Sequence, residues 1–285
     1  MMQPSELRQR FRAVLSGDAC VTPGSVFDPI SARIAADIGF ETGIFAGSTA
    51  SLTVLGAPDL IVLTLSEFAE QIRRIIRAAD LPLLVDADHG YGNALNVMRT
   101  VQELETAGVS AMTIEDTELP RPYGDGTTRL VSLAEGLGKI RGALAARADP
   151  ALVIVARTSA MTVSGLDEAA ARARTYTEAG ADALFFTGVT SLEQLRAIQA
   201  VSPLPIILGG GTPGDAAALA AHGVRIALQG HAPIFAAMQA VHATLSAMRA
   251  GMPASELPGQ PAPDMVRQWT RAASYVAATK DFLAG

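Results

Sequence analysis

Asp86 and Asp88 stand two residues apart in the run Leu83-Leu84-Val85-Asp86-Ala87-Asp88-His89-Gly90-Tyr91-Gly92. If the apolar lead-in is a buried strand, alternation sends both carboxylates to the same side of the sheet. Two acids side by side at a buried strand end repel each other and are costly to desolvate unless a cation neutralises them. A hard divalent ion that takes oxygen ligands meets that need: Mg²⁺, or Mn²⁺ in its place. The plainer alternative is one aspartate capping the next helix and another solvated in a loop.

Further chemistry-bearing residues follow other apolar runs. Glu115 adds a third carboxylate after Ala111-Met112-Thr113-Ile114. Arg157, after Val153-Ile154-Val155-Ala156, is permanently charged and forked, suited to a carboxylate or a developing enolate oxygen. Gly47-Ser48 offers backbone N–H groups and a hydroxyl to a second carboxylate oxygen. His231, just ahead of Pro233 and a helical pattern, can donate or accept a proton. Each has a structural alternative: Arg157 pairing with Glu115, His231 as an ordinary helix-start residue, Ser48 as a helix cap.

These residues need a frame that gathers them. Short apolar runs alternate with amphipathic stretches along nearly the whole chain: Cys20–Thr22, Glu41–Ala46, Leu83–Asp88, Ala111–Asp116, Leu152–Thr158, Ala183–Thr187, Leu204–Gly209 and Arg225–Gln229. Helical patterns lie between them, among them Asn93–Ala107, Val131–Ala146 and Asp167–Ala179. Several end in a glycine, as in Ala107-Gly108 and Ala179-Gly180, which supplies a left-handed cap before the next strand. Eight strand–helix units predict a closed (β/α)₈ TIM barrel; the alternative, an open doubly wound sheet, lacks its glycine-rich phosphate turn at Pro23-Gly24-Ser25-Val26-Phe27. Gly47-Ser48, Asp86, Glu115, Arg157 and His231 all follow the C-terminal ends of their strands, where barrel enzymes build active sites. The barrel is expected over residues 1–250 with an N-terminal helix. Past Met252–Pro263, residues 251–285 are expected to add a C-terminal helix around Asp264–Phe282 that packs on the barrel or a neighbouring subunit.

Composition agrees. Of 285 residues, 49% are hydrophobic and 18% charged, which supports a large core rather than disorder. A net charge of -6 without basic clusters argues against nucleic acid as a partner. The lone Cys20 excludes an internal disulfide, and no apolar run reads as a signal core or membrane span. A cytoplasmic enzyme acting on a small molecule is expected.

Asp86-Ala87-Asp88-His89-Gly90-Tyr91-Gly92-Asn93, Thr113-Ile114-Glu115-Asp116 and Val155-Ala156-Arg157-Thr158 resemble the isocitrate lyase/phosphoenolpyruvate mutase superfamily. Ala134-Glu135-Gly136-Leu137-Gly138-Lys139-Ile140-Arg141 and Gly230-His231-Ala232 are most similar to its oxaloacetate decarboxylase branch. The resemblance implies a (β/α)₈ barrel, Mg²⁺, a 2-oxo acid substrate, and homotetramers that exchange a C-terminal helix. The acidic cluster of Asp86, Asp88 and Glu115 is expected to hold the metal; the resemblance implies Asp86 as its ligand, Asp59 as an outer acid on the metal's waters, and substrate contacts from Ser48, Arg157 and His231. Lyase members carry a Lys-Lys-Cys-Gly-His-type loop after strand four; Leu119–Gly126 has Tyr123 near the place of that cysteine, which speaks against isocitrate or methylisocitrate cleavage. The decarboxylase branch has a Tyr after strand seven, whereas this chain has Gly209-Gly210-Gly211-Thr212, a turn expected to leave room for a larger substituent at C3.

The expected reaction is metal-assisted decarboxylation of oxaloacetate to pyruvate and CO₂ through an enolate, with Arg157 and His231 as the catalytic side chains. The alternatives are cleavage of a different C–C or C–P bond on the same platform, and a non-catalytic barrel that binds oxo acids.

Overall fold

The computed structural model of the chain describes residues 2–124 and 126–283. They form two compact units, Met1–Gly230 and His231–Gly285. The first contains α1 (Pro4–Ser16), β1 (Gly24–Ser25), α2 (Pro29–Ile38), β2 (Gly43–Phe45), α3 (Gly47–Ala50), α4 (Leu65–Ile76), β3 (Leu83–Asp86), α5 (Ala94–Ala107), β4 (Ala111–Glu115), α6 (Leu133–Ala146), β5 (Val153–Thr158), α7 (Ala160–Val163), α8 (Leu166–Ala179), β6 (Ala183–Thr187), α9 (Leu192–Gln199), β7 (Ile206–Gly209), α10 (Ala216–Ala221) and β8 (Val224–Ala227). The strands run parallel in sequence order, and a parallel bridge from Val21 to Ile226 joins the first segment to the last. This is the expected (β/α)₈ barrel.

Local chemistry sets the element ends. Asp28 caps α2 by accepting from Ser31 N at 2.7 Å, with Pro29 in the first turn, and Asn93 caps α5 through Leu95 N at 2.9 Å. Gly39, Gly108 and Gly180 supply left-handed caps at the other ends of α2, α5 and α8. The expected strand at Cys20–Thr22 is cut short: Val21 makes the bridge to β8, Pro23 has no N–H to donate, and the paired strand starts at Gly24.

Alternation along the strands divides the core in two. Leu83, Val85, Met112, Ile114, Ile154 and Ala156 face the helices. Ile44, Leu84, Ala111, Val153, Val155, Ala183, Phe185, Ile207 and Ile226 line the barrel interior, where Phe11 and Leu15 of α1 join them. The interior-facing series then turns polar toward the C-terminal rim: Leu84 to Asp86, Ala111 to Thr113 and Glu115, Val153 and Val155 to Arg157.

The second unit holds α11 (Ala232–Arg249), α12 (Pro263–Trp269) and α13 (Ala272–Phe282). The single helix expected at Asp264–Phe282 is two, separated where Arg271 takes a left-handed φ of 58°. No helix among the described residues is long and apolar enough to cross a membrane.

Candidate active site

Asp86, Glu115 and Arg157 are brought together by strand register. Asp86 lies beside Thr113, and Glu115 beside Arg157. Thr113 Oγ1 donates to Asp86 Oδ1 at 2.6 Å, which fixes the carboxylate plane. Arg157 Nη1 donates to Asp86 Oδ2, and its Nε lies 3.2 Å from Glu115 Oε2 in an ion pair whose angle is too poor for a hydrogen bond. The alternative pairing of Arg157 with Glu115 is therefore present, and Asp86 shares it.

Asp88 reaches the cluster by a different route from the one its spacing predicts. The strand ends at Asp86, and Asp88 takes a left-handed φ of 48° in the turn that follows. Its N–H donates to Asp86 Oδ1 at 3.3 Å, so a turn rather than the pleat puts the two acids side by side. Its carboxylate lies against Gly47, where a Cβ would stand 2.7 Å from Asp88 Oδ2. Only glycine admits that approach.

Burial pushes the Asp88 carboxyl well above the usual range, and the charges of Asp86, Glu115 and Asp59 add to it. Burial also raises Glu115, with Arg157 opposing and Asp86 reinforcing the shift. Burial works against the charge of Arg157, but Asp86 and Glu115 outweigh it and hold the guanidinium protonated. One guanidinium thus faces three clustered carboxylates, an excess of negative charge that a divalent cation would relieve, in a donor set of hard oxygens. Among the described residues, no three His, Cys, Asp or Glu side chains converge as a ready-made ligand set. The carboxylates fit such an ion by charge and donor type, and Arg157 is inserted among them.

Ser48 is half-buried in the first turn of α3 rather than at its cap, and His231 directly precedes α11 at the start of the second unit. Tyr123 is fully exposed in the excursion after β4, which is fastened at its base by a Thr117–Leu130 bridge; Asp125 lies outside the described residues.

Sequence reasoning missed the supports behind the rim. Lys139 of α6 is buried and donates from Nζ to the carbonyl of His89 at 2.9 Å, gripping the turn that carries Asp88. Burial, aided by the Lys139 charge, drives the His89 imidazole down to about 4, so it is neutral at pH 7. Asp116, next to Glu115, accepts from Arg172 Nη1 at 2.8 Å and Tyr176 Oη at 2.6 Å, while Arg172 Nη2 holds the carbonyl of Val131 at 3.0 Å. The signal was present in the helices: Lys139 shares a buried stripe with Gly136, Ile140 and Ala143, and Arg172 shares one with Ala169, Ala173 and Tyr176. A cation on a core-facing stripe needs a specific partner.

Residues 11–249 match the model of the phosphoenolpyruvate phosphomutase family. The chain belongs to that family. Within it, the chain is 56% identical over 268 residues to an oxaloacetate decarboxylase of Bradyrhizobium sp. (strain BTAi1 / ATCC BAA-1182), covering 93% of each chain. It is 56% identical over 278 residues to an oxaloacetate decarboxylase of Rhodopseudomonas palustris (strain BisB18), covering 97% of this chain and 96% of that one. Solved structures superpose over nearly the full length. A phosphonopyruvate hydrolase in complex with oxalate and Mg²⁺ gives a TM-score of 0.84 at 30% identity, covering 99% of this chain and 100% of that one. An oxaloacetate acetylhydrolase in complex with the inhibitor 3,3-difluorooxalacetate gives 0.83 at 29% identity, covering 98% and 97%.

Proposed function

We propose that this chain decarboxylates oxaloacetate to pyruvate and CO₂ with the help of a divalent cation, Mg²⁺ or Mn²⁺. The observation that carries this reading is the identity of 56% over nearly the full length to proteins named oxaloacetate decarboxylase. The rim geometry supports it, because the reaction needs fixed positive charge where an enolate oxygen forms.

Asp86, Asp88 and Glu115 would hold the cation, with Asp59 as an outer acid, and the chemistry it supplies is neutralisation of negative charge developing on the C2 oxygen. Arg157, aimed by Asp86 and Glu115, binds that end of the substrate and adds its own charge as the C3–C4 pair moves toward the C2 oxygen. The N–H of Gly47 and the hydroxyl of Ser48 hold a substrate carboxylate. From its position in the chain, four residues past the end of β8, His231 holds the departing carboxylate or returns a proton to C3. Cleavage then releases CO₂, and protonation of the enolate at C3 yields pyruvate.

Exposed apolar residues of the second unit support a homotetramer with exchanged C-terminal helices. Phe235, Met238, Val241, Leu245 and Met248 follow helical spacing on α11 and remain exposed within one chain, as do Tyr275, Val276 and Phe282 of α13. Sedimentation velocity reads that mass directly. A cytoplasmic location accompanies this reading.

Pyruvate formation from oxaloacetate, with Mg²⁺ and with EDTA, beside Asp86→Ala at the same Mg²⁺ concentration, tests the activity. Turnover at least about a hundredfold above the variant, abolished by chelation, is the expected result. Equal rates for wild type and variant would exclude it. Solved relatives also include a 2,3-dimethylmalate lyase at 28% identity, so a panel of 2-oxo and 2-hydroxy dicarboxylates tests C–C or C–P cleavage of another acid, and oxalate binding without turnover would mark a non-catalytic barrel.

A further inference from the structure

We propose that Phe185 and Gly209 form a seat that positions Arg157 for substrate, and that the glycine at the end of β7 is there to make room for it. The inference rests on the reading of Arg157 as the substrate-binding cation. Arg157 of β5 and Phe185 of β6 are register partners, and Phe185 packs among the interior residues of the barrel. The guanidinium carbon lies over the Phe185 ring, 5.3 Å from its centroid. Aromatic faces attract cations and give the planar guanidinium a flat surface on which to lie. With Asp86 on Nη1 and Glu115 beside Nε, the group is fixed along two edges and one face. Among the described residues Nη2 donates to no protein acceptor, which leaves it available for a ligand oxygen.

Gly209 lets the ring lie there. It ends β7 and pairs with Thr187, two residues beyond Phe185 on β6. A Cβ at position 209 would stand 2.7 Å from Cε2 and 2.8 Å from Cζ of Phe185, closer than such atoms approach. Gly209 has no left-handed φ, so an alanine backbone is acceptable there and the aromatic ring alone forbids the side chain. Gly210 and Gly211 differ: their φ values of 84° and 114° make the turn, and a Cβ on either would meet nothing within 4 Å. The room expected from the glycine run is thus taken up at Gly209 by Phe185. Positions 210 and 211 are the open ones. Phe185 and Gly209 are accordingly positioning residues, acting through Arg157.

A double-mutant cycle tests this. Gly209→Ala, Phe185→Leu and the double variant are compared with wild type for oxalate affinity by calorimetry at saturating Mg²⁺, for kcat and KM on oxaloacetate, and for Tm. Leucine lacks the Cε2 and Cζ atoms that an alanine at 209 would strike. Each single variant is expected to weaken oxalate binding about tenfold, whereas adding Gly209→Ala to Phe185→Leu changes it by less than about twofold. Single variants that bind oxalate like wild type, whatever their Tm, overturn the seat, and so do effects that simply multiply. If wild type binds oxalate but does not turn over oxaloacetate, the decarboxylase reading fails while the cycle still judges the seat. If wild type turns over oxaloacetate but binds no oxalate, the decarboxylase reading stands and the same cycle read in kcat/KM judges the seat.

Discussion

At the scale of single residues, Arg157 decides what the rim can do. Its neighbours on β4 and β3 are acids, and its neighbour on β6 is an aromatic ring. Arg157→Lys keeps the charge but replaces a planar fork with a point charge that cannot pair along two edges and lie flat on Phe185. A fall in kcat/KM of about 10²–10³ with a Tm close to wild type is expected from steady-state kinetics and calorimetry. Asp86, Glu115 and Arg157 were legible in the sequence because strands alternate and each acid or base ends an apolar run. Asp88 was legible as a member of the cluster but not in its geometry. Spacing of two matches a pleat, and only the left-handed turn after Asp86 reveals that the strand had already stopped.

Between elements, the helices behind the rim hold its loops. Lys139 reaches from α6 to the turn after β3, and Arg172 reaches from α8 to the end of β4 and to the return of the excursion at Val131. Lys139→Met removes the donor to a buried carbonyl one residue past Asp88. Stability is expected to fall by about 1–3 kcal/mol in urea titrations, and the Mg²⁺ concentration for half-maximal activity to rise several-fold. A variant with unchanged Mg²⁺ dependence would reduce Lys139 to a packing role. Element types were readable from periodicity and from glycine caps such as Gly108 and Gly180. The break at Arg271 was not, because Gln268–Ala273 contains no glycine or proline to announce it. The shortened first strand was hidden for a related reason: Val21 pairs at the closing seam of the barrel with Ile226, a partner about 200 residues away in sequence that no local pattern reveals.

For the whole barrel, α1 acts as a stopper at the end opposite the rim. Phe11 and Leu15 enter the interior, Arg8 donates to the carbonyls of Val109 and Glu105 and to Asp149 Oδ2 at 2.7 Å, and Arg12 donates to Pro150, Ala151, Leu152 and Asp182. The Arg8 hydrogen bond, with a backbone bond from Ala151, holds the Asp149 carboxyl below its usual range. The unfolded chain therefore takes up this proton first as pH falls. The contribution of Asp149 to stability is fully present above its unfolded pKa, near 4, and is lost as pH drops through the lower folded value. Asp149→Asn should lower stability at pH 7 and narrow the gap between pH 7 and pH 3, as read by urea unfolding; an unchanged gap would remove Asp149 from the acid response. The stopper also sets a timetable. In the order in which a ribosome makes the chain, α1 precedes its Arg12 partners by 138 to 170 residues. At about 5–20 residues per second, the helix waits roughly 7–34 s with Phe11 and Leu15 uncovered. The piece that seals the barrel is made before the strands it closes and is fitted late, so the nascent chain carries an adhesive face while most of the barrel is still being made.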